Sequence, residues 1–453
     1  MPSRLRRAKE NPSFGLAVRS IARSSSLAYY LRDRSNPASE IQAMTSRVGV
    51  FHPGTQHSWQ TALAFQESGN LAWYATSAFY DPNRWPYKLE KLVPEPLSAR
   101  LHREFTRRHL PALESSNIRQ FGMWEWSETG ARRIGQDKLA RWANRCGNRS
   151  FAKLATNLVE REEVDTLWGY NTSSLDVFRW AKRRNIRCVL DQTIGHCASL
   201  NRVMLAEREK NPDFFLKSFS PFSEGDFALQ NEEVALADLV VAGCDFCAQT
   251  LVENGCDQNK IAVVPYGFDE TLFPTTQPRR KPLDGRPVEF LFVGSVGPRK
   301  GIATLLQAFA DIPGDAARLT IVGRLEIPEK TFHPFRDRVT HIGSLPRKDV
   351  VQHFVSADCF IFPSLFEGGG IVLYEAVAAG LGIIQSANCG DGVREGRNGL
   401  VLEEVSADCL RKAIIDVAAN PDRLREWQDE SWRIREERTW KRYRQSIREL
   451  VAA

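Results

Sequence analysis

The chain has 453 residues, too many for one ordinary hydrophobic core and enough for two domains. Apolar residues make up 42% and charged residues 26%, which excludes an intrinsically disordered chain. The formal net charge of +6 is concentrated at the start, where positions 1–45 hold eight Arg or Lys against three acids; the nearly neutral remainder excludes a general nucleic-acid binder.

Residues 1–45 read as a basic arm. It is either a disordered tail, a stretch ahead of a start at Met44, or an arm whose charge suits an anionic membrane surface or a pyrophosphate-bearing lipid. Arg19 and Arg23 interrupt its apolar stretch, which argues against a secretory signal. No apolar run approaches the roughly 18 residues of a membrane-spanning helix, so the expected location is cytoplasmic, at most at the inner face of the membrane. Nine scattered cysteines favour a reducing compartment. Cys244 and Cys247 form a C-x-x-C without a fourth ligand at zinc spacing, and are read as structural thiols.

Short apolar strands alternate with amphipathic helices in two blocks. The first block predicts strands at Arg47–Phe51, Asn70–Ala75, Asp165–Tyr170, Arg187–Asp191, Asp238–Ala242 and Ile261–Pro265. The second predicts Val288–Gly294, Arg318–Gly323, Val339–Gly343, Asp358–Pro363 and Gly382–Ser386. Runs such as Phe290-Leu291-Phe292-Val293 fit strands buried on both faces. Ile302, Leu305, Leu306 and Phe309 share one helical face. The repeated βαβα pattern predicts an α/β protein with two doubly wound, Rossmann-like domains. Their expected limits are 46–274 and 288–425, joined by a Pro-rich linker at 275–287. Asn83–Glu125 reads as an insertion whose Trp85 and Trp124, with Trp126 beyond, suit sugar stacking or core packing. From Pro421 the charged tail, with Trp427, Trp432 and Trp440, reads as one long helix with an apolar stripe.

Ligands of such sheets bind at the carboxyl ends of the strands. Gly294-Ser295-Val296-Gly297-Pro298-Arg299-Lys300-Gly301 joins a strand to a helix with glycines, helix-start N–H groups and two cations, a cradle for a pyrophosphate or a solvated basic loop. Glu367 follows another strand, then Gly368, Gly369 and Gly370, then a helix from Ile371 that carries Glu375. Glycines admit close approach of a ligand, helix-start N–H groups favour an anion, and the two carboxylates can accept sugar hydroxyls. In the first block, His52, Gly54, Thr55 and His57 follow the first strand, and His196 follows another. Each histidine is a candidate for acceptor contact or proton transfer, or a hydrogen-bonded loop residue. No H-E-x-x-H or similar metal motif occurs.

In order and spacing, these pieces resemble the family 4 glycosyltransferases of the GT-B fold. The match runs from about Glu232 to Gly399 and includes KIAVVPYGFDETLF at Lys260–Phe273, FVGSVGPRKG at Phe292–Gly301 and an E-x7-E pair at Glu367 and Glu375. Asn398-Gly399-Leu400-Val401 resembles the turn that follows in the family. The resemblance implies two Rossmann-like domains facing across a cleft, with a C-terminal helix at 426–453 crossing back to the first. It implies retaining transfer of a hexose-type sugar from a nucleotide-diphosphate donor, with no metal or other cofactor required. The acceptor would be a saccharide or a lipid-linked saccharide. Arg299 and Lys300 would hold the donor phosphates, Glu375 the ribose and Glu367 the transferred sugar. Gly294, Ser295, Gly368, Gly369, Gly370 and Ile371 would line the donor, with Gly54 and Thr55 near donor and acceptor. His52 and His57 would face the acceptor, and His196 would take the place of the family's first-domain histidine. Ser295 stands where many members have arginine, and Asp191-Gln192 stand where the family histidine usually follows its strand. A GT-B epimerase or phosphorylase and an inactive sugar-nucleotide scaffold are the competing readings.

Overall fold

A computed structural model describes residues 46–54, 57–85, 87–120, 150–283 and 285–452. The basic arm, Thr55, Trp124 and Trp126 lie outside the described residues.

Runs of Val, Leu, Ile and aromatic residues build strands buried on both faces, as parallel sheets require. The first sheet holds β1 (Val48–His52), β2 (Leu71–Thr76), β3 (Ile118–Gln120), β4 (Thr166–Tyr170), β5 (Arg187–Gln192), β6 (Leu239–Ala242) and β7 (Ile261–Val263). Its order is β3-β2-β1-β4-β5-β6-β7, parallel throughout. The second holds β8 (Val288–Val293), β9 (Ala317–Val322), β10 (Val339–Ile342), β11 (Cys359–Phe362), β12 (Gly382–Ser386) and β13 (Gly399–Leu402). Its order is β10-β9-β8-β11-β12-β13, again parallel. Both orders reverse direction beside their first strand, and that reversal opens a crevice at the strand ends.

Every expected strand is present, with ends displaced by two residues or fewer. Two edge strands were not expected. β3 is short and polar at Arg119 and Gln120. β13 was read as a turn; Gly399 opens it because a β-carbon there would overlap the Ile383 carbonyl oxygen of the neighbouring strand.

The helices that position the crevice are α1 (Ser58–Glu67), α2 (Cys197–Lys210), α3 (Glu224–Leu236), α4 (Ile302–Ala310), α5 (Ile371–Ala378), α6 (Pro421–Ile434) and α7 (Trp440–Ala452). Ile302, Leu305, Leu306 and Phe309 of α4 are all buried, as their spacing predicts. The tail is two helices rather than one, with a tight 3-10 turn at Arg435–Arg438 between them. The break arises because Arg435 stacks 4.0 Å from the Trp432 ring and donates to the Pro274 carbonyl at 2.7 Å. Thr439 then turns extended and pairs with Phe268. α6 stays on the second sheet, where Gln428 donates to the Asp358 carbonyl at 2.8 Å and Ser431 to the Leu381 carbonyl at 2.7 Å. α7 crosses to the first domain, where Tyr443 and Thr61 of α1 share a hydrogen bond of 2.8 Å and Arg444 pairs with Glu67 at 2.9 Å.

The connecting segment is anchored by its arginines. Arg280 donates to the Val355 carbonyl at 2.9 Å and to the Ala379 carbonyl at 2.6 Å, satisfying carbonyls at helix ends. Arg286 pairs with Asp358 at 2.6 Å.

Glu233 of α3 is buried and accepts from the backbone N–H groups of Thr172 at 2.7 Å and Ser174 at 2.8 Å. Burial outweighs those bonds and pushes its carboxyl up to about 7 from 4.5. The folded state therefore binds this proton more tightly than the unfolded state, and the contribution to stability fades as pH rises from about 4.5 to about 7. Glu233→Gln should remove that part of the pH slope. Chemical denaturation at pH 5 and pH 8 checks it, and an unchanged difference between the two pH values would refute it.

Candidate functional site

The loop after β8 passes through Gly294 and Ser295 to one 3-10 turn at Pro298–Lys300. Gly301 then caps α4 with φ +69, a left-handed conformation open mainly to glycine. Any β-carbon at Gly301 would also overlap the Pro363 carbonyl oxygen. The loops after β8 and β11 therefore lie against each other, and Leu365 N–H donates to the Arg299 carbonyl at 2.9 Å.

That contact delivers both cations to Glu367. Arg299 Nη1 donates to Glu367 Oε1 at 3.0 Å and to the Phe366 carbonyl at 2.7 Å. Lys300 Nζ donates to the same Oε1, and Ser364 Oγ donates to it at 2.6 Å. Lys300 also stands 4.8 Å over the Phe362 ring. Burial pulls the Lys300 ammonium below its ordinary value against the pull of Glu367. Burial works to raise Glu367, but Lys300 and Arg299 hold its carboxyl below the usual range. Two cations share one buried carboxylate, so the cluster keeps an excess positive charge that suits an anion.

Gly370 caps α5 in a left-handed conformation, and Ile371 is the first helical residue. Glu375 lies one turn further on. Its carboxylate is mostly buried, and its charged neighbour is Arg347 at 3.8 Å, beyond a direct hydrogen bond. Burial raises its pKa, with Arg347 opposing.

Gly368 and Gly369 do more than leave room for a ligand. A β-carbon on Gly368 would overlap the Thr193 carbonyl oxygen of the first domain, and one on Gly369 would stand 2.5 Å from the Tyr266 ring. These glycines are where the two domains touch. The contact continues through Phe246 and Phe366, whose rings meet edge to face at 5.1 Å.

The first-domain candidates lie behind that contact. His57 is buried, its Nε2 lies 3.0 Å from both oxygens of Asp191, and its ring lies 4.3 Å from Tyr266. Trp168 Nε1 also donates to Asp191, at 3.3 Å. Tyr266 thus stands between His57 and the glycine run. His52 is buried against Tyr170 at 4.7 Å, and burial lowers its pKa to about 4, so it is neutral at neutral pH. Gly54 accepts from Thr76 Oγ1 at 3.3 Å. His196 caps α2: its Nδ1 accepts from Ala198 N–H at 3.2 Å and its Nε2 meets Asn231 Oδ1 at 3.0 Å. Both nitrogens are therefore engaged within the protein, and the ring is a fixed support under the crevice.

Cys244 and Cys247 are buried thiols; burial pushes Cys244 up to about 12 and Cys247 well above its ordinary value, which leaves them unreactive. Among the described residues no group of three His, Cys, Asp or Glu is placed to hold a metal ion, and no helix is long and apolar enough to cross a membrane.

Sequence reasoning overlooked Ser364, Arg347 and Tyr266. Ser364 carried a local signal, three residues ahead of Glu367 at the end of a strand. Tyr266 lay within the matched stretch Lys260–Phe273 but had no role assigned to it, and Arg347 reaches the site from another element and carried no signal.

Two Rossmann-like domains with a cationic loop and a glutamate at the crevice of the second define an α/β protein of the GT-B architecture. Residues 274–432 match the family described as Glycosyl transferases group 1. A D-inositol 3-phosphate glycosyltransferase of Nocardia farcinica is 30% identical over 268 residues, 54% of this chain and 57% of that protein. The chain spans about half the length of the curated relatives it matches. Sucrose-phosphate synthase from Thermosynechococcus elongatus shares the fold with a TM-score of 0.61 at 19% identity, over 90% of this chain and 98% of that one. HepE of Anabaena, solved in complex with UDP, has a TM-score of 0.58 at 15% identity, over 90% of this chain and 99% of that one.

Proposed function

We propose that the protein transfers a hexose-type sugar from a nucleoside-diphosphate donor to a hydroxyl of a saccharide or lipid-linked acceptor, with retention of configuration and without a metal. The carrying observation is the cluster at the crevice of the second domain in which Lys300 and Arg299 both bond the buried Glu367. The group 1 match over 274–432 and a structural neighbour solved with UDP support the same reading.

Lys300 and Arg299 hold the donor diphosphate, helped by backbone N–H groups around Gly294, Ser295, Gly368, Gly369, Gly370 and Ile371. Their three bonds with Ser364 all land on Glu367 Oε1, which leaves the second oxygen for a hydroxyl of the transferred sugar. Glu375, without a close partner, accepts from the ribose. The acceptor oxygen bonds to the anomeric carbon as the bond from that carbon to the diphosphate breaks, and the hydroxyl proton passes to the departing diphosphate. Lys300 and Arg299 stabilise the charge that develops there. Gly54 lies toward donor and acceptor. His52, His57 and His196 shape the acceptor side from beneath, His57 through Tyr266.

The test is thermal stabilisation by a panel of nucleotide sugars. A donor at 100 times its dissociation constant should stabilise the wild type by about 2.7 kcal/mol. Glu375→Ala should lose most of that response. If no nucleotide sugar stabilises the wild type, the transferase reading fails and the scaffold reading fails with it.

A further inference from the structure

The segment from Asn211 to Phe222 joins α2 to α3 and belongs to the first domain by its ends. Asn211 closes α2: its backbone N–H donates to the Glu207 carbonyl at 2.8 Å and its side-chain Nδ2 to Glu207 Oε1 at 3.0 Å. Phe222 N–H donates to Asn201 Oδ1 of α2 at 3.0 Å, and Ser223 caps α3. The stretch Asn211–Phe214 is nevertheless fastened to the second domain. Gln307 of α4 donates to Asn211 Oδ1 at 3.0 Å. Thr331, on the short helix Glu329–Phe332, donates to the Asp213 carbonyl at 2.6 Å. The Phe214 ring lies 6.5 Å from that of Phe335.

Two features set this fastening apart from an ordinary domain contact. The first is its slightness. After Phe215 the segment turns outward, with Leu216, Lys217 and Ser218 exposed, so a few side chains carry the attachment. Attachments of that kind open far more readily than a packed sheet. The second is its place. The other pairing of the domains, Phe268 with Thr439, sits beside α6, which is bonded to the Asp358 and Leu381 carbonyls at the entries of β11 and β12. Gln307 and Thr331 follow β8 and β9 instead. The sheet order β10-β9-β8-β11-β12-β13 puts these two attachments on opposite sides of its middle. A pairing that stays made on one side and a slight fastening on the other is the arrangement of a hinge and its catch. The segment also faces Ser295, Pro298 and Arg299 across a cavity of about 560 Å³, so parting there widens the way to the cationic loop.

We propose that Asn211–Phe214 is a latch: fastened to Gln307 and Thr331 it holds the crevice closed, and released it lets the domains part about the pairing of Phe268 with the tail. The latch is a property of the architecture and stands or falls apart from the transferase reading.

The test replaces the two donors with apolar side chains of like size, Gln307→Leu with Thr331→Val, in the full chain without ligand. Two ordinary hydrogen bonds together shift the balance toward release by at least about tenfold. The Phe214 and Phe215 amides donate within the segment to the Asn211 and Pro212 carbonyls. They should exchange with deuterium at least about tenfold faster in the double variant. The Phe222 amide, held by Asn201, should exchange as in the wild type. Small-angle scattering should show a larger radius of gyration. Thr331→Ser, which keeps the hydroxyl, should match the wild type in every readout. Unchanged exchange at Phe214 and Phe215 overturns the proposal, as does an unchanged radius. Equal acceleration at Phe222 also overturns it, because the whole connection would then have come apart. So does a Thr331→Ser chain as loose as the double variant. If the double variant does not fold, Thr331→Val alone is read in the same way, with an expected acceleration of about fivefold for one bond.

Discussion

Lys300→Ala should lower turnover about 10²- to 10³-fold in a chain that still folds. The ammonium is the better buried of the two cations and bonds Glu367 directly. In the proposed mechanism its removal takes away charge stabilisation at the departing diphosphate, a loss that falls on kcat rather than on KM alone. The fold should tolerate it, because Glu367 keeps Arg299 at 3.0 Å and Ser364 at 2.6 Å and is not left as a bare buried charge. Initial rates with a responsive nucleotide sugar, beside a melting curve, give both quantities. Unchanged turnover would remove Lys300 from the leaving-group role. A KM effect alone would make it a ground-state binding residue.

Gly368→Ala should separate the domains. The added methyl would meet backbone on the Thr193–Ile194 side, the Thr193 carbonyl oxygen first and then Ile194 Cα at 2.8 Å. Backbone cannot swing aside as a long side chain can, so the strain is relieved by parting the contact. Overpacking of this kind costs about 1–3 kcal/mol where it cannot be relieved. The variant should lose transfer and show a larger radius in small-angle scattering. Gly314→Ala is the control: nothing lies within 4 Å of its β-carbon position, and a surface change of that kind shifts stability by at most about 0.5 kcal/mol. A Gly368 variant as compact and active as the control would show that the contact is dispensable.

The strands were legible because a buried parallel strand leaves a continuous apolar run, as in Phe290–Val293, and such runs depend on neighbours only for their burial. β3 and β13 escaped because edge strands are short and one begins with glycine. In the candidate site, Arg299, Lys300 and Glu367 were visible as residues placed just after strands, where the chemistry of such sheets collects, and Glu375 as a carboxylate in the helix that follows. What they touch was not visible. The glycines after Glu367 were read as room for a ligand, yet Gly368 and Gly369 also admit Thr193 and Tyr266, and no local pattern announces a contact between segments so far apart. The same holds for His57, whose burial against Asp191 follows from the pairing of β4 with β5 and the placement of α1. The tail was read as one helix because tryptophans set among many charges suit a surface helix with an apolar stripe. The Pro274 carbonyl and the Phe268 backbone, which hold the break open, lie in another part of the chain.

That meeting of Phe268 with the tail bears on how the molecule can move. The polypeptide passes between the domains twice, and at the second passage Phe268 N–H donates to the Arg438 carbonyl at 2.9 Å while Trp440 N–H donates to the Phe268 carbonyl at 3.3 Å. Gly267 lets the Thr439 backbone come this close, since a β-carbon would overlap it. Two separate tethers would let the domains slide and twist independently. Two tethers bonded to each other behave as one axle, about which the halves can rock but past which they cannot shear. Opening and closing of the crevice then become opposite directions of a single rotation, and cutting either crossing would unseat the other.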